Sequence, residues 1–271
     1  MMSDQDTPEP DSQSQLQSQS QNEQEVEAPA DTRDSAPNPE KEKQEKPPEK
    51  KKTGFRDLGL DSRILATVDR MGFDSPSPIQ ARAIPVAVAG RDMVGIAQTG
   101  SGKTAAFGFP LLQRVDPKIY KPQALVVCPT RELAVQVESA LVDFAQGLEN
   151  FRTATLYGGA AYDRQIRALK GGAQVVVGTP GRIMDHLKRG LFDPSQVGYV
   201  VLDEADRMLD MGFRDDMETL LGKMPTERQT LFFSATMNPP VKRLIQNFSN
   251  DPEWIEVKSD TRSADTVEQG Y

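Results

Sequence analysis

Residues 97–104 read Ala97-Gln98-Thr99-Gly100-Ser101-Gly102-Lys103-Thr104, a glycine-rich segment that ends in a lysine and a threonine. It follows the apolar run 93–97, which has the composition of a strand, and it opens a segment rich in Ala and Phe that is typical of a helix. Glycines in such a turn let successive backbone N–H groups face a phosphate. The segment therefore predicts a phosphate-binding loop, although Ala97 stands where many such loops have glycine.

Four side chains complete the predicted nucleotide chemistry. Lys103 is suited to neutralise charge on the β- and γ-phosphates, and the Thr104 hydroxyl is suited to coordinate Mg²⁺. A magnesium site also needs a carboxylate at the end of a buried strand, and the apolar run 199–203 ends in Asp203. Glu204 follows Asp203, and its side chain projects in a different direction. It can deprotonate an attacking water. Lys103, Asp203 and Glu204 are thus the predicted catalytic residues.

Short apolar runs alternate with longer amphipathic segments beyond residue 54. Seven runs are predicted as strands: 93–97, 124–128, 153–157, 174–178, 199–203, 230–234 and 254–257. Five segments between them have helical spacing: 131–146, 161–170, 182–189, 214–224 and 239–247. Four of the strands are apolar enough for burial on both faces, which is typical of a parallel sheet. The alternation predicts a doubly wound α/β domain, with a mostly parallel sheet and helices on both faces.

The first 53 residues differ in composition from the rest of the chain. They contain 13 acidic and 7 basic residues, no aromatic residue, and only Leu16 and Val26 among Leu, Ile and Val. Such a segment cannot bury an apolar core, so residues 1–53 are predicted to be a disordered acidic and polar tail. Most of the net charge of −8 falls in this tail. The acidity of the chain therefore does not argue against a nucleic-acid partner for the folded part.

Composition also excludes several classes of protein. No apolar run approaches the roughly 20 residues that cross a bilayer, and the first residues do not resemble a secretory signal. Cys128 is the single cysteine and His186 the single histidine, so an internal disulfide and a Cys/His zinc site are excluded. These features predict a cytoplasmic location. His186 is expected on a helix surface and Cys128 in the core.

Three further segments follow predicted strands and therefore share one edge of the sheet. Their hydroxyls, guanidinium groups and glycines are suited to contact a sugar–phosphate backbone, and two of their arginines begin helices. The predicted RNA-binding residues are Pro129, Thr130, Arg131, Gly158, Gly159, Thr179, Pro180, Gly181 and Arg182. None of them is aromatic, so we expect contacts to the RNA backbone with little sequence preference.

The order of these segments resembles that of the DEAD-box RNA helicases. Asp203-Glu204-Ala205-Asp206 resembles the box that names the family, and residues 72–80 resemble its Q motif, with Ser77 where threonine is usual. The resemblance implies a RecA-like P-loop domain in which Gln80 reads the adenine and Phe55 packs against it. It also implies that Asp206, Ser234, Ala235 and Thr236 couple the nucleotide site to unwinding.

The resemblance implies an ATP-dependent RNA helicase, an RNA-stimulated ATP hydrolase that uses ATP and Mg²⁺. The implied ATP-binding residues are Phe55, Gln80, Ala97, Gln98, Thr99, Gly100, Ser101, Gly102, Lys103 and Thr104. Residues 54–82 form the expected Q-motif region, 83–258 the ATP-binding domain, and 259–271 the start of an interdomain linker. Helicases of this kind have a second RecA-like domain with arginine fingers, and no segment of this chain matches it. We therefore expect the chain to bind nucleotide and to unwind nothing alone.

Two other classes of function remain open from the sequence. A P-loop ATPase could translocate on DNA or on protein, and it would lack adenine selection through Gln80 and stimulation by RNA over DNA. A scaffold without enzymatic activity could bind RNA or a partner protein, and its activity would tolerate substitution of Lys103 or Glu204. The sequence gives no basis for an oligomeric state.

Overall fold

Seven short strands form one sheet in the computed structural model, which describes residues 53–257. The strands are β1 (Met93–Ile96), β2 (Ala124–Val127), β3 (Thr153–Leu156), β4 (Val175–Gly178), β5 (Tyr199–Leu202), β6 (Gln229–Ser234) and β7 (Glu253–Glu256). Their order is β3-β4-β2-β5-β6-β1-β7, and every neighbouring pair is parallel. All seven predicted strands are confirmed within one or two residues at their ends. The predicted tail up to residue 52 and the predicted linker lie outside the described residues.

Nine α-helices lie in the described part of the chain, two before β1 and seven in the connections between strands. They are α1 (Ser62–Arg70), α2 (Pro78–Val88), α3 (Lys103–Arg114), α4 (Arg131–Phe144), α5 (Tyr162–Lys170), α6 (Pro180–Lys188), α7 (Ala205–Asp210), α8 (Arg214–Lys223) and α9 (Pro239–Phe248). The sequence patterns do not predict α1, α2 and α7. Pro85 interrupts the helical pattern of α2. The pattern of α7 is short, because that helix has only six residues. None of these helices combines the length and apolar character needed to cross a bilayer.

The helices cover both faces of the sheet, and each face has its own apolar core. The first core packs α1, α2, α3 and α4 against one face, and the second packs α5 to α9 against the other. Neighbouring residues of one strand supply both cores: Phe233 belongs to the first and Phe232 to the second. This alternation is the two-residue period of a strand. The predicted doubly wound α/β architecture is confirmed.

Aromatic rings attach the segment before α2 to the first core. Phe55, in a short 3₁₀ turn, lies 6.0 Å from Phe73 and 6.2 Å from Phe109, measured between ring centroids. Phe109 in turn packs at 4.7 Å against Phe144 of α4. Such tilted and edge-on contacts add to the burial of large rings. Trp254, in contrast, is 48% exposed and lies on the edge strand β7.

A buried carboxylate ties together the other end of the sheet. Asp92 precedes β1, and its two oxygens accept hydrogen bonds from the backbone N–H groups of Thr230 and Asn250, both at 2.7 Å. Thr230 lies in β6 and Asn250 lies before β7, the two strands that flank β1. One side chain therefore holds three neighbouring strands at the end of the sheet opposite the phosphate-binding loop.

We expect Asp92→Ala to lower the free energy of unfolding by about 2–4 kcal/mol, because two buried N–H donors lose a charged acceptor. Urea unfolding of the chain measures this change. Asp116→Ala is the control, since Asp116 is exposed and accepts one bond from the Lys118 N–H; it should cost less than about 1 kcal/mol. Equal losses in the two variants would contradict the role of Asp92.

Candidate nucleotide site and nucleic-acid interface

The loop between β1 and α3 has the backbone conformation of a phosphate-binding loop. Gly100 has φ of 82° and Gly102 has φ of 94°, and Gly102 is the N-cap of α3. Positive φ is the region that glycine occupies at little cost. The first N–H groups of α3 have no partner within the helix and carry the positive end of its dipole. All eight residues predicted here, 97–104, lie in this loop and the first turn of α3.

A buried lysine at the start of α3 faces a buried aspartate at the end of β5. Lys103 is 5% exposed, and its Nζ donates to the Ala97 carbonyl at 3.2 Å. The same Nζ lies 3.8 Å from Oδ1 of Asp203, within range of an ion pair but too far for a hydrogen bond. Burial raises the pKa of Asp203 to about 6, although the charge of Lys103 acts in the opposite direction. The structure thus brings the predicted Lys103 and Asp203 together.

Two oxygens at this site are buried and lack a hydrogen-bond partner. They are Oδ1 of Asp203 and Oγ of Ser101. A buried polar atom without a partner costs about 1–3 kcal/mol, so such atoms are rare away from sites that bind a ligand. Carboxylate and hydroxyl oxygens are the ligands that Mg²⁺ prefers. The donor set, with Thr104 at the second position of α3, therefore fits a magnesium ion.

Glu204 adopts a left-handed backbone conformation directly after Asp203. Its φ is 54° and its ψ is 52°, which is unusual for a residue with a side chain. Its Oε1 accepts a hydrogen bond from the Thr99 hydroxyl at 2.9 Å, and its Oε2 lies 3.2 Å from Arg207. Because of this conformation, the consecutive carboxylates of Asp203 and Glu204 contact different partners. Strain of this kind costs about 1–3 kcal/mol and clusters at functional sites.

Hydrogen bonds join the acidic segment to the end of β6. Oδ2 of Asp206 accepts from both the backbone N–H and the hydroxyl of Thr236, each at 2.9 Å. Ser234 donates from its hydroxyl to the Thr236 carbonyl at 2.7 Å. The predicted coupling residues Asp206, Ser234 and Thr236 are therefore in one network, and Ala235 is exposed between them. The contact is a structural fact, while its role in coupling stays a prediction.

The segment predicted to recognise adenine forms hydrogen bonds with the phosphate-binding loop. Gln80 donates from Nε2 to the Gly102 carbonyl at 3.1 Å, and its Oε1 accepts from the Ser77 N–H at 2.9 Å. The Ser77 hydroxyl donates to the Ser101 carbonyl at 2.8 Å. A Cβ added at Gly102 would lie 2.5 Å from Nε2 of Gln80. Glycine is therefore required at position 102 both for its φ and for this close contact.

Phe55, expected against the adenine, packs with other aromatic rings before α2. It is 4% exposed and contacts Phe73 and Phe109. These contacts hold it beside the segment that carries Gln80, and a fully apolar ring gains from such burial. Its contact with the adenine stays a prediction.

The three predicted RNA motifs lie together at one edge of the sheet. They follow β2, β3 and β4, which are neighbours in the order β3-β4-β2. Thr130 is the N-cap of α4, where its hydroxyl accepts from the Leu133 N–H at 3.3 Å, and Thr179 is the N-cap of α6. Gly158 and Gly159 are exposed, and Gly159 has φ of 82°. Pro129 is buried, Pro180 is the first residue of α6, and Gly181 has open space around it.

Two tyrosines at this edge were missed because only the motif residues were considered. The guanidinium carbon of Arg131 lies 4.9 Å from the ring centroid of Tyr157, and that of Arg182 lies 5.1 Å from Tyr162. Cation–π contacts of this kind orient a guanidinium group while leaving its N–H groups available. The expectation of an edge without aromatic groups is therefore wrong. A signal existed, since Tyr157 precedes Gly158 directly.

His186 also differs from expectation, because it is fully buried. Its ring stacks on Tyr162 with centroids 4.5 Å apart and planes at 5°. Burial and the nearby charge of Arg182 lower its pKa, which favours the neutral imidazole. Its position three residues after the buried Ile183 places it on the inward face of α6, a helical spacing that could have predicted its burial. Cys128 is buried, as expected.

The family model for the DEAD/DEAH box helicases matches residues 77–244. The chain belongs to the DEAD/DEAH box helicase family. The ATP-dependent RNA helicase DeaD of Haemophilus influenzae is 52% identical over 218 residues, which make up 80% of this chain and 36% of that protein. The DEAD-box ATP-dependent RNA helicase CshA of Geobacillus kaustophilus is 48% identical over 219 residues, or 81% and 47% of the two chains.

A solved structure of the family has the same fold. The crystal structure of a DEAD box protein from Methanococcus jannaschii superimposes with a TM-score of 0.72 at 40% identity, over 76% of this chain and 56% of that one. The resemblance and the RecA-like fold are confirmed. The chain spans between 36% and 47% of the length of the two relatives named above.

Two glycines of the loop provide a matched test of its geometry. We expect Gly100→Ala to cost about 1 kcal/mol of stability, because φ is positive but the space around Gly100 is open. Gly102→Ala should cost about 1–3 kcal/mol more, since the added methyl group also meets Gln80 and Ser77. Urea unfolding of both variants tests this. Equal destabilisation would contradict the close packing of Gln80 on Gly102.

Proposed function

We propose that this chain carries the ATP-binding and RNA-binding part of an ATP-dependent RNA helicase. One observation carries the proposal: the buried Lys103 faces a buried Asp203 whose Oδ1 has no hydrogen-bond partner, beside the phosphate-binding loop. A lysine and a carboxylate held together at the start of a helix are suited to a polyphosphate with its cation. Two relatives named above carry the words ATP-dependent RNA helicase in their names, which supports the assignment.

In the proposed site, ATP lies with its phosphates on residues 97–104. The loop N–H groups bind phosphate oxygens, and Lys103 moves from the Ala97 carbonyl to the β- and γ-phosphates. Thr104 and Asp203 would hold Mg²⁺, which neutralises charge on the phosphates when bound. Burial raises the pKa of Asp203 because it disfavours the charged carboxylate, and a cation bound nearby would offset that effect.

Glu204 is the proposed base of hydrolysis. Its carboxylate is held by the Thr99 hydroxyl, which belongs to the phosphate-binding loop, so it is fixed beside the phosphates. It can accept the proton of a water that attacks the γ-phosphate. Asp206 and Thr236 would then transmit the state of this site to the end of β6.

Gln80 is proposed to recognise adenine, because its amide uses only part of its hydrogen-bonding capacity within the protein. It uses one N–H on the Gly102 carbonyl and one lone pair on the Ser77 N–H. An amide has two N–H groups and two lone pairs, so one of each remains for the adenine edge. Guanine has the acceptor O6 where adenine has the donor N6–H₂, which gives a reason for selecting ATP over GTP.

RNA is the proposed ligand of the edge that follows β2, β3 and β4. Arg131 and Arg182 would contact phosphates, Thr130 and Thr179 would offer hydroxyls, and the exposed glycines would let the backbone approach. Contacts of this kind carry little sequence information. Strand separation would require a second RecA-like domain such as the resemblance implies. A cytoplasmic location is proposed from composition, since the chain has a single cysteine.

We expect Lys103→Ala to weaken binding of Mg²⁺–ATP about 10- to 100-fold, because charged hydrogen bonds contribute about 1.5–3 kcal/mol each. Lys223→Ala, an exposed lysine at the end of α8, is the control and should bind normally. A fluorescent ATP analogue measures affinity, and thermal melting confirms that both variants fold.

Glu204→Gln separates binding from chemistry. It should keep affinity for the ATP analogue within about twofold and abolish ATP hydrolysis, measured as phosphate release, since an amide cannot accept the proton. Unchanged hydrolysis would remove Glu204 as the base. Stimulation by DNA and RNA alike, with no preference for ATP over GTP, would favour a translocase of another class.

We expect Arg131→Ala and Arg182→Ala each to weaken binding of single-stranded RNA and to lower the slope of log Kd against log salt by about 0.7. Fluorescence anisotropy with a labelled oligouridine measures both quantities. Arg214→Ala on α8 is the control, because Arg214 is exposed and lies outside every motif. The same loss in all three variants would show that the contact is general attraction and not a defined edge.

A further inference from the structure

One buried amide that the proposed chemistry does not use links two of the RNA motifs. Gln165 of α5 is 3% exposed, and its Nε2 donates to the Tyr157 carbonyl at 2.9 Å, directly before Gly158. Its Oε1 accepts from His186 at 3.0 Å and lies 3.4 Å from Nη1 of Arg182. A single side chain therefore contacts both the segment that carries the glycine pair and the arginine of the next motif.

Tyr157 and Arg182 determine which way this amide points. The Tyr157 carbonyl can only accept, so the NH₂ group must face it, and the Arg182 guanidinium can only donate, so the amide oxygen must face that side. The amide in turn sets the tautomer of His186, which donates from Nε2 to the amide oxygen and leaves Nδ1 unprotonated and without a hydrogen-bond partner.

Stacked groups extend this arrangement to the surface. His186 stacks on Tyr162, and the guanidinium carbons of Arg182 and Arg189 lie 5.1 Å and 5.0 Å from the centroid of the same ring. Arg182 is thereby held by an aromatic ring and by Gln165, and only the remaining N–H groups of its guanidinium are free. A preorganised arginine loses less conformational entropy when it binds a phosphate.

We propose that Gln165 is a positioning residue for RNA binding, which keeps the Gly158-Gly159 segment and Arg182 at a fixed separation so that both contact one RNA backbone. The proposal rests on the proposed RNA function of this edge. Gln165 itself does not contact RNA, and His186 adds a further hydrogen bond to its amide oxygen.

Gln165→Met is the first test, because methionine keeps the length and packing of the side chain and removes both hydrogen bonds. We expect oligouridine affinity, measured by fluorescence anisotropy on the full chain, to fall about fivefold while affinity for an ATP analogue stays unchanged. Gln174→Met is the matched control. Gln174 is equally buried, and its amide also bonds backbone groups, those of Arg152 and Asn150. It precedes β4, however, and so lies at the end of the sheet away from the RNA motifs. It should lose stability without losing RNA affinity.

A double-mutant cycle shows whether Gln165 acts through Arg182. In a chain that already carries Arg182→Ala, Gln165→Met should cost only about twofold more, because part of what it positions is gone. A full fivefold loss in that background, or no loss in the single variant, would overturn the proposal. Should Gln165→Met fail to fold, Gln165→Glu replaces it. That variant keeps the acceptor for His186 and Arg182 but cannot donate to Tyr157, and unchanged RNA affinity in it would equally overturn the proposal.

The controls separate this inference from the function on which it rests. If Arg182→Ala leaves RNA affinity unchanged, the proposed RNA edge itself is wrong. If Arg182→Ala weakens binding and Gln165→Met does not, the edge stands and only the positioning role of Gln165 fails.

Discussion

The buried pair of Lys103 and Asp203 is the interaction on which the architecture of this domain depends. Removing two charges from water costs several kcal/mol each, and their mutual attraction offsets this cost only in a good geometry. Lys103 begins the helix that follows β1 and Asp203 follows β5, and β6 lies between these two strands. The pair can therefore form only if all three strands are in register. The Asp206–Thr236 bonds, from the ends of β5 and β6, reinforce that register at the same edge.

Strand order divides this edge of the sheet into two halves. β5, β6 and β1 carry the phosphate-binding loop and the acidic segment, and β3, β4 and β2 carry the motifs with Thr130, Gly158 and Arg182. The two halves meet where β2 pairs with β5. Ligand sites in such sheets lie at the carboxyl ends of the strands. The proposed ATP and RNA sites are thus adjacent although their residues are interleaved along the chain, and the strand order alone brings this about.

Local features of the sequence predicted most of this arrangement. The glycine loop, the seven apolar runs and the carboxylates after the fifth run each depend on a few neighbouring residues, so pattern and chemistry identify them. Whether Phe55, His186 and Trp254 are buried or exposed depends instead on which elements, distant in the sequence, cover them. His186 is buried by α5 through Tyr162 and Gln165, and Trp254 is exposed because β7 has no partner on its outer side within residues 53–257. Partners of this kind are not readable from a short window.

The left-handed backbone at Glu204 has a consequence for the balance between stability and activity. A glycine at this position would occupy the same φ without the steric cost that a side chain meets there, about 1–3 kcal/mol. The backbone conformation alone therefore favours a residue that has no carboxylate to offer. The proposed base thus stands at a position where the local backbone geometry opposes any side chain, and its hydrogen bond to Thr99 and ion pair with Arg207 offset part of that cost.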